Sequence, residues 1–402
     1  MLLIVNVLLF IFYFTQIKKS LFISLPTYYH FVCVYTILGT KYADFAKDVP
    51  FSFYDFLYPE SIDLMVYFFI LASLSFYLGI IITKNYRTRS LGLDFSSIRN
   101  VFFKIRNIHI ILIYLLVVLF LHVGHGFSHI YYRQGYLIGD GGNSYFRIMY
   151  TMMLPFSMMI LPFLKGKNLR VVLLFIVFTL VFGTSSRNVI VIPVFYSFGM
   201  LVRDNKISKI SILLTTLSVI VFSSTSIQYR FNEFQGMIPN VVYFFSNGID
   251  FKFVALSINY LTSFSFFASA LTLQDFTIDY AAFYTSINPL PSSMLNVEHM
   301  ISNQKLNQNA PFTAIGILSQ GGIITLVLYF FITGYCWSKF AGNLIRKSKI
   351  IAPFVYVIFF LFTLLSIQYN LRSVTRYVYY MLVLAVMFSS FKAVFYSVRK
   401  ND

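Results

Sequence analysis

The sequence predicts an all-α polytopic membrane protein, and three observations predict it. Of 402 residues, 58% are hydrophobic and 11% charged, with mean hydropathy +0.74, whereas a soluble domain is roughly 25% charged. Apolar runs recur at close to the ~20 residues that cross a hydrocarbon core. A β-barrel would show ~10-residue alternating segments instead. The charge is also one-sided. Of the 31 Lys and Arg, 21 fall in 18–20, 84–107, 165–170, 203–209, 339–349 and 392–402. Those segments hold three acids (Asp94, Asp204, Asp402) and carry +18, while the rest of the chain sums to −1, giving +17 in all. Cytoplasmic loops concentrate Lys and Arg in this way. The high pI is therefore topology and no argument for nucleic acid.

Spans are predicted at 1–17, 20–40, 62–83, 108–124, 146–164, 171–186, 188–202, 210–227, 312–338, 350–369 and 377–396. Residues 1–17 have no basic start, and Lys18 and Lys19 follow them, so they read as an uncleaved first span rather than a signal peptide. Alternating the sides of the eleven spans puts every strongly basic loop inside, the N-terminus outside and the C-terminus inside. Spans 171–186 and 188–202 stand one residue apart, after Gly183-Thr184-Ser185-Ser186, which predicts a tight re-entrant turn at Arg187. Residues 1–402 read as a single integral membrane domain, with 228–311 a large outside segment inserted between spans. Within that segment 251–273 is apolar but studded with Ser, Thr and Asn. It is expected to lie on or dip into the outer leaflet; two extra crossings would make thirteen spans.

Cys33 and Cys336 lie inside apolar spans with no ligand spacing, so packing is expected of both. No Walker loop, dinucleotide fingerprint, zincin motif or nucleotide-sugar aspartate pair is present. No cofactor or metal is therefore expected. His125 and His129 stand i,i+4, but Gly124 and Gly126 interrupt the helix and no Glu or Cys accompanies them at ligand spacing. The stretch from His129 through Arg133 to Gly139-Asp140-Gly141-Gly142-Asn143 mixes tyrosines with small polar residues. It reads as a glycan surface or an interfacial aromatic belt. Basic loop 84–107 interleaves six bases with apolar residues, a pattern for a helix on the anionic inner leaflet.

Outside bases point to chemistry. Arg187, Arg230, Arg372 and Arg376 sit at or just within outer span ends. Arginine near mid-membrane is costly and usually faces a pathway, and its planar fork pairs bidentately with phosphate oxygens. Four converging outside arginines suit a diphosphate, with Arg133 as a further substrate contact. Each one alone is equally compatible with snorkelling to headgroups. Glu233, three residues beyond Arg230, is the first choice for a general base on a sugar hydroxyl; an ion pair with Arg230 or a solvated loop is the alternative. Asp250, Asp279, Glu298 and His299 follow on the same segment.

Three places resemble the O-antigen polymerase family, the oligosaccharide repeat-unit polymerases of bacterial inner membranes. They are Gly183–Arg187, Asn288-Pro289-Leu290-Pro291, and Ala314–Gly322 with its glycines. Asn188 departs from the Gly that often follows the turn's Arg. The resemblance implies a glycosyltransferase-C-like fold and a periplasmic site. There a growing glycan would move from undecaprenyl diphosphate onto the next lipid-linked repeat unit, and the reading of the residues themselves makes Arg187, Arg230 and Glu233 the expected catalytic set. It also implies membrane lipids and a chain-length regulator protein as partners. A lipid-linked oligosaccharide flippase, or an O-antigen ligase, is the competing expectation.

Overall fold

The computed structural model describes residues 1–83, 95–135, 142–206, 208–307, 310–348 and 351–401, with backbone only at 97, 98, 187, 231, 353, 389 and 391–401. Residues 84–94 of the basic loop and 136–141 of the tyrosine-bearing loop lie outside the described residues. The structure is 81% helical and, among the described residues, has no closed sheet; the strands described form two antiparallel two-stranded pairs. Among the described residues, seven helices are long and apolar enough to cross a membrane, or eight if one bent pair is a single span. The protein is membrane-embedded. Helices also stand at the other four expected spans, Leu2–Gln16, Lys167–Gly183, Val191–Asp204 and Ala352–Gln368, but these are 14 to 17 residues long.

The chain divides into two compact units, Met1–Gly92 with Asn259–Asp402, and Leu93–Ile258. In the first, helix Pro59–Ile81 crosses helix Gly322–Cys336 at two glycines. A Cβ on Gly79 would stand 2.2 Å from the Phe331 carbonyl oxygen, and one on Gly334 2.3 Å from that of Phe76. Only hydrogen lets the backbones approach this closely, the usual device where lipid supplies no hydrophobic drive between helices. Below this crossing the fully buried Trp337 packs edge-on to Phe359 at 5.0 Å and against Phe362 at 5.4 Å. Buried His30 is held between Asn6 Oδ1 and Ser73 Oγ, each at 2.8 Å, so both ring nitrogens are used.

Segment 251–273 forms two helices, Phe251–Leu261 and Ser263–Asp275, bent by 48°. The bend falls at Thr262, whose φ −120 and ψ −80 are not helical. The second half packs inside the unit: Phe266 and Phe267 are fully buried. Its small residues admit helix Ala314–Gln320 closely. Ser269 Oγ meets Thr313 Oγ1 at 2.7 Å, and Gln320 Nε2 donates to the Thr272 carbonyl at 3.0 Å. The Ser and Thr that made this stretch look unlike a span are the groups that pack it inside the unit.

In the second unit, five helices (Asn107–His125, Ser144–Ile160, Lys167–Gly183, Val191–Asp204, Lys209–Gln228) alternate in direction. Basic residues gather at one end: Arg170 and Arg203 both donate to the Pro162 carbonyl, at 3.2 and 3.0 Å, and Asn107 bonds the main chain of Lys165. The opposite end gathers the turns that carry Arg133, Arg187 and Arg230.

The glycine crossing yields a direct expectation. Gly79→Val or Gly334→Val forces the two backbones apart and destabilises the detergent-solubilised protein by roughly 1–3 kcal/mol, as overpacking does. Leu328→Ala, on a half-exposed side of the same helix, leaves thermal unfolding nearly unchanged. Equal unfolding temperatures for all three variants would remove the crossing from the account.

Candidate functional site

Helix Lys167–Gly183 ends in the turn that the small residues foreshadowed. Ser185 takes a positive φ of 51, and a one-turn 3-10 helix, Arg187–Ile190, leads into the next helix. Gly183 is required by crowding: a Cβ there would stand 2.4 Å from the Ile130 carbonyl oxygen and 2.8 Å from Met237 N. Such a turn leaves the last helical carbonyls without intrahelical partners. Three side chains collect them. Arg133 Nη1 donates to the carbonyls of His129 and Gly183, the latter at 3.0 Å, and Nη2 to the Thr184 carbonyl at 3.2 Å. Asn240 Nδ2 donates to the Phe182 carbonyl at 2.9 Å. Arg230 Nε donates to the Ser185 carbonyl at 3.3 Å.

Arg133 is thus only 8% exposed, with its fork directed at main-chain carbonyls and at Gln235 Oε1, 3.1 Å away. Strand Arg133–Gln134 pairs antiparallel with Phe234–Gln235. Glu233 borders this pair and is exposed; its side chain accepts from Gln134 Nε2 at 3.4 Å and its carbonyl from Gly135 N at 2.8 Å. The structure therefore brings Arg133, Arg230 and the backbone of the Arg187 turn together, with Glu233 at the edge. The Arg187 side chain lies outside the described residues.

An apolar cavity of about 440 Å³ opens between the three helices that meet near this turn. Phe175, Phe178, Pro193, Leu214 and Phe222 help line it. An aromatic file runs from its wall to Arg230: Phe178 stacks on Phe182 at 5.6 Å, and Phe182 meets Tyr229 edge-on at 5.7 Å. Sequence reading missed this cavity, because the apolar faces that line it look like any lipid-facing stripe.

Arg372 and Arg376 belong to the other unit, on the first two turns of helix Leu371–Asn401. Being four apart they share a face, and both address the segment with Asn288-Pro289-Leu290-Pro291. Arg372, 4% exposed, donates to the carbonyls of Thr285 at 2.7 Å, Asn288 at 3.2 Å and Leu290 at 2.8 Å. Arg376 Nη2 donates to Ser292 Oγ at 2.9 Å. Nearby, Asp279 caps helix Tyr280–Ile287 through Ala282 N at 3.1 Å and pairs with His299 Nε2 at 3.0 Å. The Ala282 N–H and the Asn303 amide hold its carboxyl below the usual range. Asp279, Asn303 and Lys305 line a polar pocket of about 640 Å³.

His125 and His129 stack at 5.4 Å across the break at Gly126, whose φ is 82. Burial, then the charges of Arg133, His125 and Arg147, push His129 down to about 3. Among the described residues no group of three or more His, Cys, Asp or Glu could hold a metal ion. No family model, curated protein or solved structure matches the chain.

Two outcomes follow. Arg133→Gln strands the carbonyls of Gly183 and Thr184 and costs roughly 1–3 kcal/mol for each one left unpaired. Arg133→Lys restores little, because lysine lacks the fork; full thermal stability in either variant would contradict the clamp. His129 has a folded pKa below its unfolded one. Its neutral form therefore contributes stability above about pH 6.5 that is lost as pH falls toward 3. Thermal unfolding should weaken over that window, and less so in His129→Gln; identical pH profiles would contradict it.

Proposed function

We propose that the protein is a polysaccharide polymerase of the bacterial inner membrane, with eleven spans in a glycosyltransferase-C-like arrangement and a periplasmic active site. The N-terminus is then periplasmic and the C-terminus cytoplasmic. One observation carries the reading: a cationic turn and an apolar cavity stand on the same three helices, joined by the Phe178–Phe182–Tyr229 file. That combination suits an amphiphile with an anionic head, as a polyprenyl diphosphate is. Arg187 and Arg230 hold the diphosphate in this reading.

The reaction needs no soluble nucleotide. An acceptor hydroxyl of the next lipid-linked unit attacks the anomeric carbon of the growing glycan. A new C–O bond forms as the bond to the carrier diphosphate breaks, and undecaprenyl diphosphate departs. Glu233 takes the hydroxyl proton. Fixed guanidinium groups stabilise the charge that develops on the leaving group. Arg133 and Arg372 act differently, as clamps that set the turns on which the reacting groups stand. The polar pocket at Asp279 and Lys305 is a candidate glycan contact.

Gene deletion followed by lipopolysaccharide gel analysis tests the class. Core capped with one repeat unit supports polymerisation, whereas bare core marks export or ligation instead. Within a complemented strain, Arg230→Ala should lower polymer yield about 10- to 150-fold, the worth of one charge-assisted hydrogen bond, with partial rescue by lysine. Wild-type chain length in Arg187→Ala and Arg230→Ala would remove both from the mechanism. Full activity of Glu233→Gln would discard only the base.

A further inference from the structure

A second cluster in the 93–258 unit is not used by the proposed reaction. It lies where helix Asn107–His125 meets the start of helix Ser144–Ile160. The two elements touch closely: a Cβ on Gly124 would stand 2.8 Å from Arg147 N. His125 stacks on His129 at 5.4 Å, and the Tyr150 ring stands edge-on to His125 at 5.8 Å. His129 is 5% exposed and Tyr150 1%. Four of their polar atoms are buried without a hydrogen-bond partner in the protein: His125 Nδ1, His129 Nδ1, Tyr150 Oη and Arg147 Nε. Buried polar groups are ordinarily satisfied by protein, water or an ion, and four open ones on neighbouring side chains mark a candidate ligand site.

The charge around the cluster says which ligand. Both permanent charges acting on His129, those of Arg133 and Arg147, are positive. A cation is thereby disfavoured. Arg147 Nε–H and Tyr150 Oη–H are donors, and each neutral imidazole carries its proton on Nδ1 or Nε2, so Nδ1–H is available to both. Arg147 also lies in the first turn of a 17-residue helix, where main-chain N–H groups and the helix dipole favour negative charge. His122 is already engaged, with Val118 O and Tyr131 Oη.

We propose that His125, His129, Arg147 and Tyr150 form a binding site for an oxyanion of the phosphoryl class, separate from the Arg187–Arg230 turn. The site stands or falls independently of the polymerase reading, because a pyrophosphate response is assigned to it only if Tyr150→Phe and Arg147→Lys, which leave the Arg187–Arg230 turn intact, diminish that response. A free phosphorylated solute and a lipid headgroup would supply the same group.

The test uses the full chain in phosphatidylcholine nanodiscs, with thermal unfolding followed during titration by inorganic pyrophosphate. A ligand that binds only the folded state raises the unfolding temperature with its concentration. Pyrophosphate should raise it where chloride at equal ionic strength does not. Tyr150→Phe, which removes only the hydroxyl, and Arg147→Lys, which keeps the charge, should each weaken the apparent affinity about 10-fold or more. Repetition in phosphatidylglycerol nanodiscs separates the sources. Loss of the pyrophosphate response there, with a raised starting temperature, assigns the site to a headgroup; a retained response assigns it to a solute. No rise in wild type in either nanodisc overturns the site, as does an undiminished rise in both variants. Those results would leave the four atoms to hydration alone.

Discussion

A helix that stops inside an apolar protein leaves carbonyl groups that neither water nor the helix can satisfy, and in hydrocarbon surroundings each costs several kcal/mol. Two buried arginines answer that constraint here. Arg133 gathers carbonyls of His129, Gly183 and Thr184, and Arg372 gathers those of Thr285, Asn288 and Leu290. Arginine suits the task because it stays charged and presents five donors in one plane. Each guanidinium turns a break in the helical pattern into a fixed loop. The turn at Arg187 and the Asn-Pro-Leu-Pro segment are both held this way, and everything placed on them inherits that rigidity.

Arginines of the same sequence signature therefore differ in burial and in how many main-chain carbonyls they reach. Arg133 and Arg372 are 8% and 4% exposed and directed at the main chain. Arg230 and Arg376 are more exposed and stand beside the clamped loops, reaching Ser185 O and Ser292 Oγ. A clamp and a ligand contact demand the same residue type near the same span ends. Linear sequence separates them poorly, because the difference is whether a carbonyl-rich turn from elsewhere in the chain arrives at the guanidinium. For Arg133 that turn is fifty residues away.

What was legible follows from local causes. Helix positions were readable because apolar runs of bilayer length have few alternatives, and the turn at Gly183-Thr184-Ser185-Ser186 because small residues mark a close approach. The unit division, the apolar cavity and the inward packing of Ser263–Asp275 were not. Each depends on which faces meet across long separations, and Ser269 against Thr313 looks polar until the two hydroxyls are found paired. The pair of strands at Arg133–Gln134 and Phe234–Gln235 was equally hidden, being two residues long on each side. His125 and His129 looked like a failed metal motif; with Arg147 and Tyr150 beside them the same residues make an electropositive, donor-rich cluster.

The proposed polymerase function requires that the Arg187–Arg230 turn and its adjoining apolar cavity bind one lipid diphosphate. Native mass spectrometry of the protein extracted from its own membrane tests this without any assay of transfer. The wild-type protein should retain a polyprenyl-diphosphate mass adduct, and the Arg187→Ala/Arg230→Ala double variant, if folded by thermal unfolding, should lose it. A wild-type protein carrying no such lipid, or a double variant carrying as much, would contradict the claim.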